Sequence, residues 1–153
     1  KKRKTKEKLI LIGPENPYYG KKVRNLIKKL DLKDEVLIIG ELPHNELSIY
    51  YNSAKINLFA SSCETFPFIL LEQLASGTAI LCSNYVPFEI AEGGVEYFDP
   101  YQPETLTNLL LLYLDDECKR NKLEEKAIEH SKKFDWAETA SKTWKALEQQ
   151  IGS

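Results

Sequence analysis

Four short apolar runs, each separated from the next by a segment long enough for a helix, constrain this chain more than any other feature. They are residues 9–12 (LILI), 36–39 (VLII), 56–60 (INLFA) and 79–82 (AILC). None alternates with period two, so each suits a strand buried on both faces, as in a parallel sheet covered by helices. Between the runs, Val23, Leu26, Ile27 and Leu30 recur at helical spacing among Lys and Arg, and Leu47, Tyr50, Tyr51 and Ala54 repeat the pattern. Both segments read as sheet-covering helices. The alternation predicts an α/β fold with a doubly wound, mainly parallel sheet and helices on both faces. A last strand at 95–98 precedes three helices. The first of these carries Leu106, Leu109, Leu110, Tyr113 and Leu114 on one face. The last begins at Asp135, with Glu138 three residues on as a capping pair, and Trp136, Ala140, Trp144 and Leu147 form a stripe that reads as core packing.

A chain of 153 residues suits one domain over 1–153. Basic and acidic residues balance at 21 against 23, which leaves no large basic field and argues against nucleic acid as a partner. Cys63, Cys82 and Cys118 show no C-x-x-C spacing and the two His lie far apart, so no metal site and a reducing compartment are expected. No apolar run approaches the roughly 20 residues that span a bilayer. The expected location is cytoplasmic, or docked on a membrane from that side. Six of the first eight residues are basic and read as a solvated end, and Gly152-Ser153 reads as a cloning remnant.

Several chemistries lack their defining residues. GPENPYYGKK at 13–22 is two residues too long between its glycines for a phosphate loop, and Lys22 stands where Ser or Thr would reach magnesium. Neither G-x-G-x-x-G nor G-x-S-x-G occurs. Cys63 has no nearby His to activate it as a nucleophile.

The informative stretch is 61–78, SSCETFPFILLEQLASGT, a loop and then a helix between two strands. Pro67 suits a first helical position and Gly77 the left-handed residue that ends a helix, giving about ten helical residues. Phe68, Ile69, Leu70, Leu71, Leu74 and Ala75 surround this helix, so it is expected to be covered nearly all round. Glu72 sits in its middle, about 40° from Phe68 and about 60° from Ile69 at 100° per residue. A carboxylate among hydrocarbon needs donors, from Arg, Lys or a ligand's hydroxyls, and Gln73 beside it cannot be assumed to suffice. Glu64, eight residues earlier, lies in the loop leaving a strand's carboxyl end, where ligands of open α/β sheets bind. The helix N-terminus between the two acids offers unpaired N–H groups to a phosphate or sugar oxygen. Together they suggest a polyol carrying phosphate. A structural alternative stays open: Glu64 favours the helix dipole and Glu72 is salt-bridged in the fold.

With these residues in place, the sequence resembles the C-terminal half of GT-B fold retaining glycosyltransferases, the glycosyltransferase family 4 (group 1) type of sucrose synthase, glycogen-synthase-like and lipopolysaccharide enzymes. Glu64-x7-Glu72 matches their E-x7-E motif. The likeness runs in order along nearly the whole chain: KLILIG with Gly13, DEVLIIGEL with Gly40, INLFASS before Glu64, LLEQLASGTAILCS after it, then Pro87 to Glu89 and Phe98-Asp99-Pro100.

The resemblance implies a Rossmann-like donor domain whose ligand is a nucleotide sugar, UDP- or GDP-linked, with no further cofactor and no obligatory metal. Glu72 would accept hydrogen bonds from ribose hydroxyls, and Glu64 would face the transferred sugar as the catalytic residue. Backbone N–H groups of Thr65, Phe66 and Phe68 would hold sugar hydroxyls. Pro67 cannot donate, and the family often has Gly where Thr65 and Pro67 stand. Gly40, Glu41 and Leu42 would line the base, with Gly13 in the same donor-binding set. Pro87 and Glu89 resemble a loop near the donor, split here by Phe88. The implied reaction transfers the sugar to a hydroxyl with retention, in polysaccharide or glycolipid biosynthesis. Relatives stabilise the departing diphosphate with a basic pair from the first strand-loop-helix unit and with helix N-termini. This chain starts at what looks like the second strand. It is therefore expected to be a fragment lacking the first β-α unit and the N-terminal acceptor domain, and inactive alone. A glycan or lipid-linked acceptor would engage the missing domain, and the full chain could associate peripherally with a membrane. The alternative is a non-catalytic glycosyltransferase-like binding or scaffolding module. A receiver-type signalling domain needs acidic residues after the first strand, where Gly13-Pro14 stands.

Overall fold

The computed structural model describes residues 6–151. Most of the basic arm at 1–8, and Gly152-Ser153, lie outside the described residues. Contacts divide the chain into two units, Lys1–Leu47 and Ser48–Ser153.

In the first unit β1 (Leu9–Ile12) and β2 (Val36–Gly40) pair in parallel, joined by helix α1 (Pro17–Leu30). Asn16 starts α1 by accepting from the N–H groups of Tyr18 and Tyr19 at 3.0 and 3.1 Å, with Pro17 at the first position where its missing donor is harmless. The expected burial is absent here. Val23, Leu26 and Leu30 are exposed, as are Leu9, Ile10, Leu37 and Ile39 of the two strands. Two strands and one helix present too little surface to enclose both faces of a sheet.

The second unit holds most of helix α2 (His44–Ser53), then β3 (Ile56–Phe59), α3 (Phe68–Ser76), β4 (Ala79–Ser83), α4 (Phe88–Ala91), β5 (Glu96–Phe98), α5 (Pro103–Asp115), α6 (Glu117–Ser131) and α7 (Trp136–Ile151). Its sheet has the order β3-β4-β5, parallel throughout, with Ile56 opposite Ala79 and Leu81 opposite Glu96. The central strand β4 is buried at all five residues, as an uninterrupted apolar run in a covered parallel sheet should be. Its alternating side chains feed two core clusters. Ile80 and Cys82 pack with Phe59, Leu70, Leu74 and Ala127, while Ala79 and Leu81 pack with Phe98, Tyr113 and Leu123. The sheet is thereby covered on both faces, as the sequence predicts.

A polar network ties the end of α2 to this sheet. Thr78 Oγ1 and Asn57 Nδ2, both on buried residues, donate to the Tyr51 carbonyl at 2.8 and 3.2 Å. Asn57 Nδ2 also reaches Ser76 Oγ, which donates to the Gln73 carbonyl at 2.6 Å.

Three expectations need correction. The stripe on α7 is not core: Trp136 and Trp144 are 76% and 63% exposed and Leu147 is exposed, because no element among the described residues lies over that face. Trp136 lies parallel to Phe68 at 6.2 Å, and Trp144 donates to Glu148 within its own helix. Helix α3 is buried on one side only, through Leu70, Gln73 and Leu74. A four-residue helix, α4, was not legible, because one turn is too short to show a period. Asp135 does begin α7, accepting from Ala137 and Glu138 N–H at 2.6 and 3.0 Å, whereas the Glu138 carboxylate pairs forward with Lys142 at 2.8 Å.

Candidate functional site

The chain leaves the carboxyl end of β3 at Phe59, crosses a loop over 60–67 and enters α3. Glu64 is half-buried in that loop, and nothing among the described residues pairs with its carboxylate. Pro67 adopts φ −84° and ψ 82°, and the Phe68 N–H closes back onto the Phe66 carbonyl at 3.1 Å, an inverse γ-turn. The Pro67 carbonyl then accepts from Leu70 and Leu71 at 3.0 and 3.3 Å and starts the helix. Pro67 is thus the residue before α3 rather than its first.

This turn changes which donors are free. Phe68, expected to offer its N–H to a ligand, has it engaged within the turn. The N–H groups of Thr65, Phe66 and Ile69 have no acceptor among the described residues. Ile69 was missed by the sequence reading. Its signal was the proline two residues before it, whose fixed φ makes a tight turn at the helix entrance. With no acid in the first turn of α3, the positive end of the helix is uncompensated from within.

Glu72 stands one turn further along. Its surroundings are less greasy than expected, since Phe68 and Ile69 are 54% and 53% exposed, and the residue is half-buried. Tyr51 OH donates to Glu72 Oε2 at 3.3 Å. Burial first, then the Glu72 charge and the hydrogen bond, push the Tyr51 phenol up to about 12. No spacing rule links Tyr51 to Glu72, because the contact crosses from α2 to α3. Gln73 turns inward instead, 5% exposed, with Oε1 lacking a hydrogen-bond partner among the described residues. Gly77 ends the helix at φ 70°, as its sequence position predicts.

The first unit brings together two more of the sequence-predicted residues. Gly13 N–H donates to the Gly40 carbonyl at 2.8 Å where β1 and β2 end. Their φ values, +139° and +86°, favour glycine, and beyond the adjoining residues no described atom lies within 4 Å of where either Cβ would stand. Glu41 follows, exposed, and Leu42, half-buried. Pro87 precedes α4 and Glu89 is exposed in its first turn, while the buried His130 ring bonds the Ile90 carbonyl at 2.8 Å and fixes that helix.

Comparison with known proteins bears on this geometry. Residues 1–130 match the family described as glycosyl transferases group 1. The D-inositol 3-phosphate glycosyltransferase of Corynebacterium glutamicum is 29% identical over 137 residues, which make up 87% of this chain and 33% of that enzyme. Among solved structures, sucrose-phosphate synthase from Thermosynechococcus elongatus superposes with a TM-score of 0.85 at 23% identity, over 95% of this chain and 39% of that one. HepE from Anabaena, solved in complex with UDP-glucose, superposes with a TM-score of 0.84 at 18% identity, over 93% and 41%. The chain spans about a third of the length of the curated relatives from Corynebacterium that it matches. The shared fold is the Rossmann-like half of a GT-B glycosyltransferase. No helix among the described residues is long and apolar enough to cross a membrane.

Proposed function

The chain belongs to the group 1 glycosyl transferases, and from that premise we propose that it is the donor-binding domain of a retaining enzyme, taking a UDP- or GDP-linked sugar. The observation that carries this reading is the β3–α3 loop. Glu64 precedes the start of α3 and Glu72 lies one turn into it, and between them in sequence the N–H groups of Thr65, Phe66 and Ile69 have no acceptor among the described residues. Such an arrangement suits a ligand that is a polyol and an anion at once. Glu72 accepts from the ribose hydroxyls and Glu64 faces the transferred sugar. HepE, bound to UDP-glucose, supports the ligand class.

The donor domain needs more chain than this for turnover. The chain spans about a third of its curated relatives, and the reaction proposed for the whole enzyme is transfer to a hydroxyl-bearing glycan or lipid-linked acceptor, in the cytoplasm and peripherally attached to a membrane. The 153-residue chain alone is inactive in transfer.

Titration calorimetry with UDP and with GDP tests the reading. One nucleotide binds the wild-type chain, and Glu72→Ala weakens it at least tenfold, as removal of a charged acceptor from a diol predicts. The engaged Phe68 N–H and the donorless Pro67 favour a second reading, a non-catalytic module that kept the fold. Absence of binding, or binding indifferent to Glu72→Ala, would establish it.

A further inference from the structure

We propose that Tyr51 is a positioning residue for the donor: its hydroxyl fixes the Glu72 carboxylate in the orientation that receives the ribose. This rests on the donor-binding reading above and extends it to a residue outside the motif. The hydroxyl lies 3.3 Å from Glu72 Oε2. What makes the contact more than a neighbourly one is how firmly Tyr51 itself is held. Its carbonyl receives two side-chain hydrogen bonds, from Thr78 at 2.8 Å and Asn57 at 3.2 Å. Both donors are more than nine-tenths buried, so neither bond is readily exchanged for water. Thr78 also lies just beyond the glycine that ends α3, and its N–H reaches Ser76 Oγ at 3.4 Å. One network therefore fixes the end of α2 relative to the end of α3, and so the phenol relative to the carboxylate. The Glu72 side chain has three rotatable bonds before its carboxylate, so the partners it meets set its orientation. A hydrogen bond from a ring with two torsions, anchored through its own backbone, does so at little entropic cost. The phenol's proton affinity, raised to about 12 by burial and by Glu72, agrees with a hydroxyl that stays a donor throughout the working pH range.

The test uses the 153-residue chain with UDP and 2′-deoxy-UDP as probes, or the guanosine pair if GDP is the nucleotide that binds. Tyr51→Phe removes the hydroxyl and keeps the ring, so the melting temperature should move little. Its UDP affinity should fall about fivefold, as for loss of a hydrogen bond to a charged group that is partly exposed. The double variant Tyr51→Phe with Glu72→Gln should bind no more weakly than Glu72→Gln alone, because the phenol acts only through the carboxylate. Affinity for 2′-deoxy-UDP should respond less than twofold to Tyr51→Phe. If Tyr51→Phe leaves UDP affinity unchanged while Glu72→Gln lowers it, the role of Tyr51 is wrong and the donor reading stands. A full additional loss in the double variant likewise overturns it. If UDP and GDP both fail to bind, or Glu72→Gln has no effect, the donor reading falls and this inference with it.

Discussion

Replacing Gly77 by Ala tests whether the helix that carries Glu72 ends as described. Gly77 sits at φ +70°, and a Cβ built there would stand 2.8 Å from both Cγ1 and Cδ1 of Ile128. An L-residue held in the left-handed region is destabilised by about 1–2 kcal/mol. Against that, Ala restricts the unfolded chain and returns about 0.4–1 kcal/mol. Their difference centres near 0.8 kcal/mol. The contact adds to it, though modestly, because Ile128 is itself an exposed side chain and can turn away by leaving its preferred rotamer for about 0.5 kcal/mol. The expected net loss is therefore about 1.3 kcal/mol. For a unit of roughly a hundred residues this lowers the melting temperature by about 5 °C. Urea unfolding followed by circular dichroism measures it, with Ile128→Ala as a partner variant. In the Ile128→Ala background the Gly77→Ala penalty should shrink to about 0.8 kcal/mol, the backbone share alone. A Gly77→Ala protein as stable as wild type would mean that α3 does not end in a left-handed residue.

Tyr97 carries a buried hydroxyl with no hydrogen-bond partner among the described residues, so Tyr97→Phe should raise stability, by up to about 1 kcal/mol in urea unfolding. A loss above half of that would show the hydroxyl to be satisfied. Burial lifts the phenols of Tyr51 and Tyr97 from an ordinary 10.0 to about 12 and the Cys82 thiol from 9.0 to about 12. In each case the fold favours the neutral form and the unfolded chain gives up its proton first. The stabilisation is complete below pH 9 and is lost as pH rises through 12, so the urea midpoint should fall across that interval, less steeply in Tyr97→Phe. A midpoint flat from pH 9 to 12 would contradict this. Pro67→Gly loosens the γ-turn, frees the Phe68 N–H and supplies one more donor. It should raise affinity for UDP-glucose relative to UDP about threefold while lowering stability by about 0.5–1 kcal/mol. An unchanged affinity ratio would remove the loop donors from sugar binding.

The layout of the fold was legible because its strands are unusual. A four-residue run such as 79–82 with no polar alternation has few uses outside a parallel sheet, and all four residues are buried. The bounds of α3 could be read from Pro67 and Gly77, whose backbone restrictions are local and do not depend on packing. Burial was less legible than secondary structure. Val23, Leu26, Trp136 and Trp144 have core-like periodicity, yet whether an apolar stripe is covered depends on which other elements are there to cover it. The chemistry of the site divided in the same way. The eight-residue spacing of Glu64 and Glu72 was visible in sequence. The phenol that meets Glu72 was not, because Tyr51 also satisfies the apolar pattern of α2 and its hydroxyl gives no signal until α3 is in place beside it. Which N–H groups the loop leaves open depended on a single dihedral at Pro67, beyond the reach of motif matching.

The contact from which the rest of the proposed chemistry follows is that between a nucleotide's ribose and Glu72. A crystal of the chain soaked with UDP-glucose, or with a GDP-sugar if calorimetry selects guanosine, addresses that most directly. The expected result is a ribose hydroxyl about 2.6–3.0 Å from a Glu72 carboxylate oxygen, with the diphosphate against the start of α3. A nucleotide bound elsewhere, or bound here with its ribose hydroxyls held by other groups and out of reach of Glu72, would contradict it.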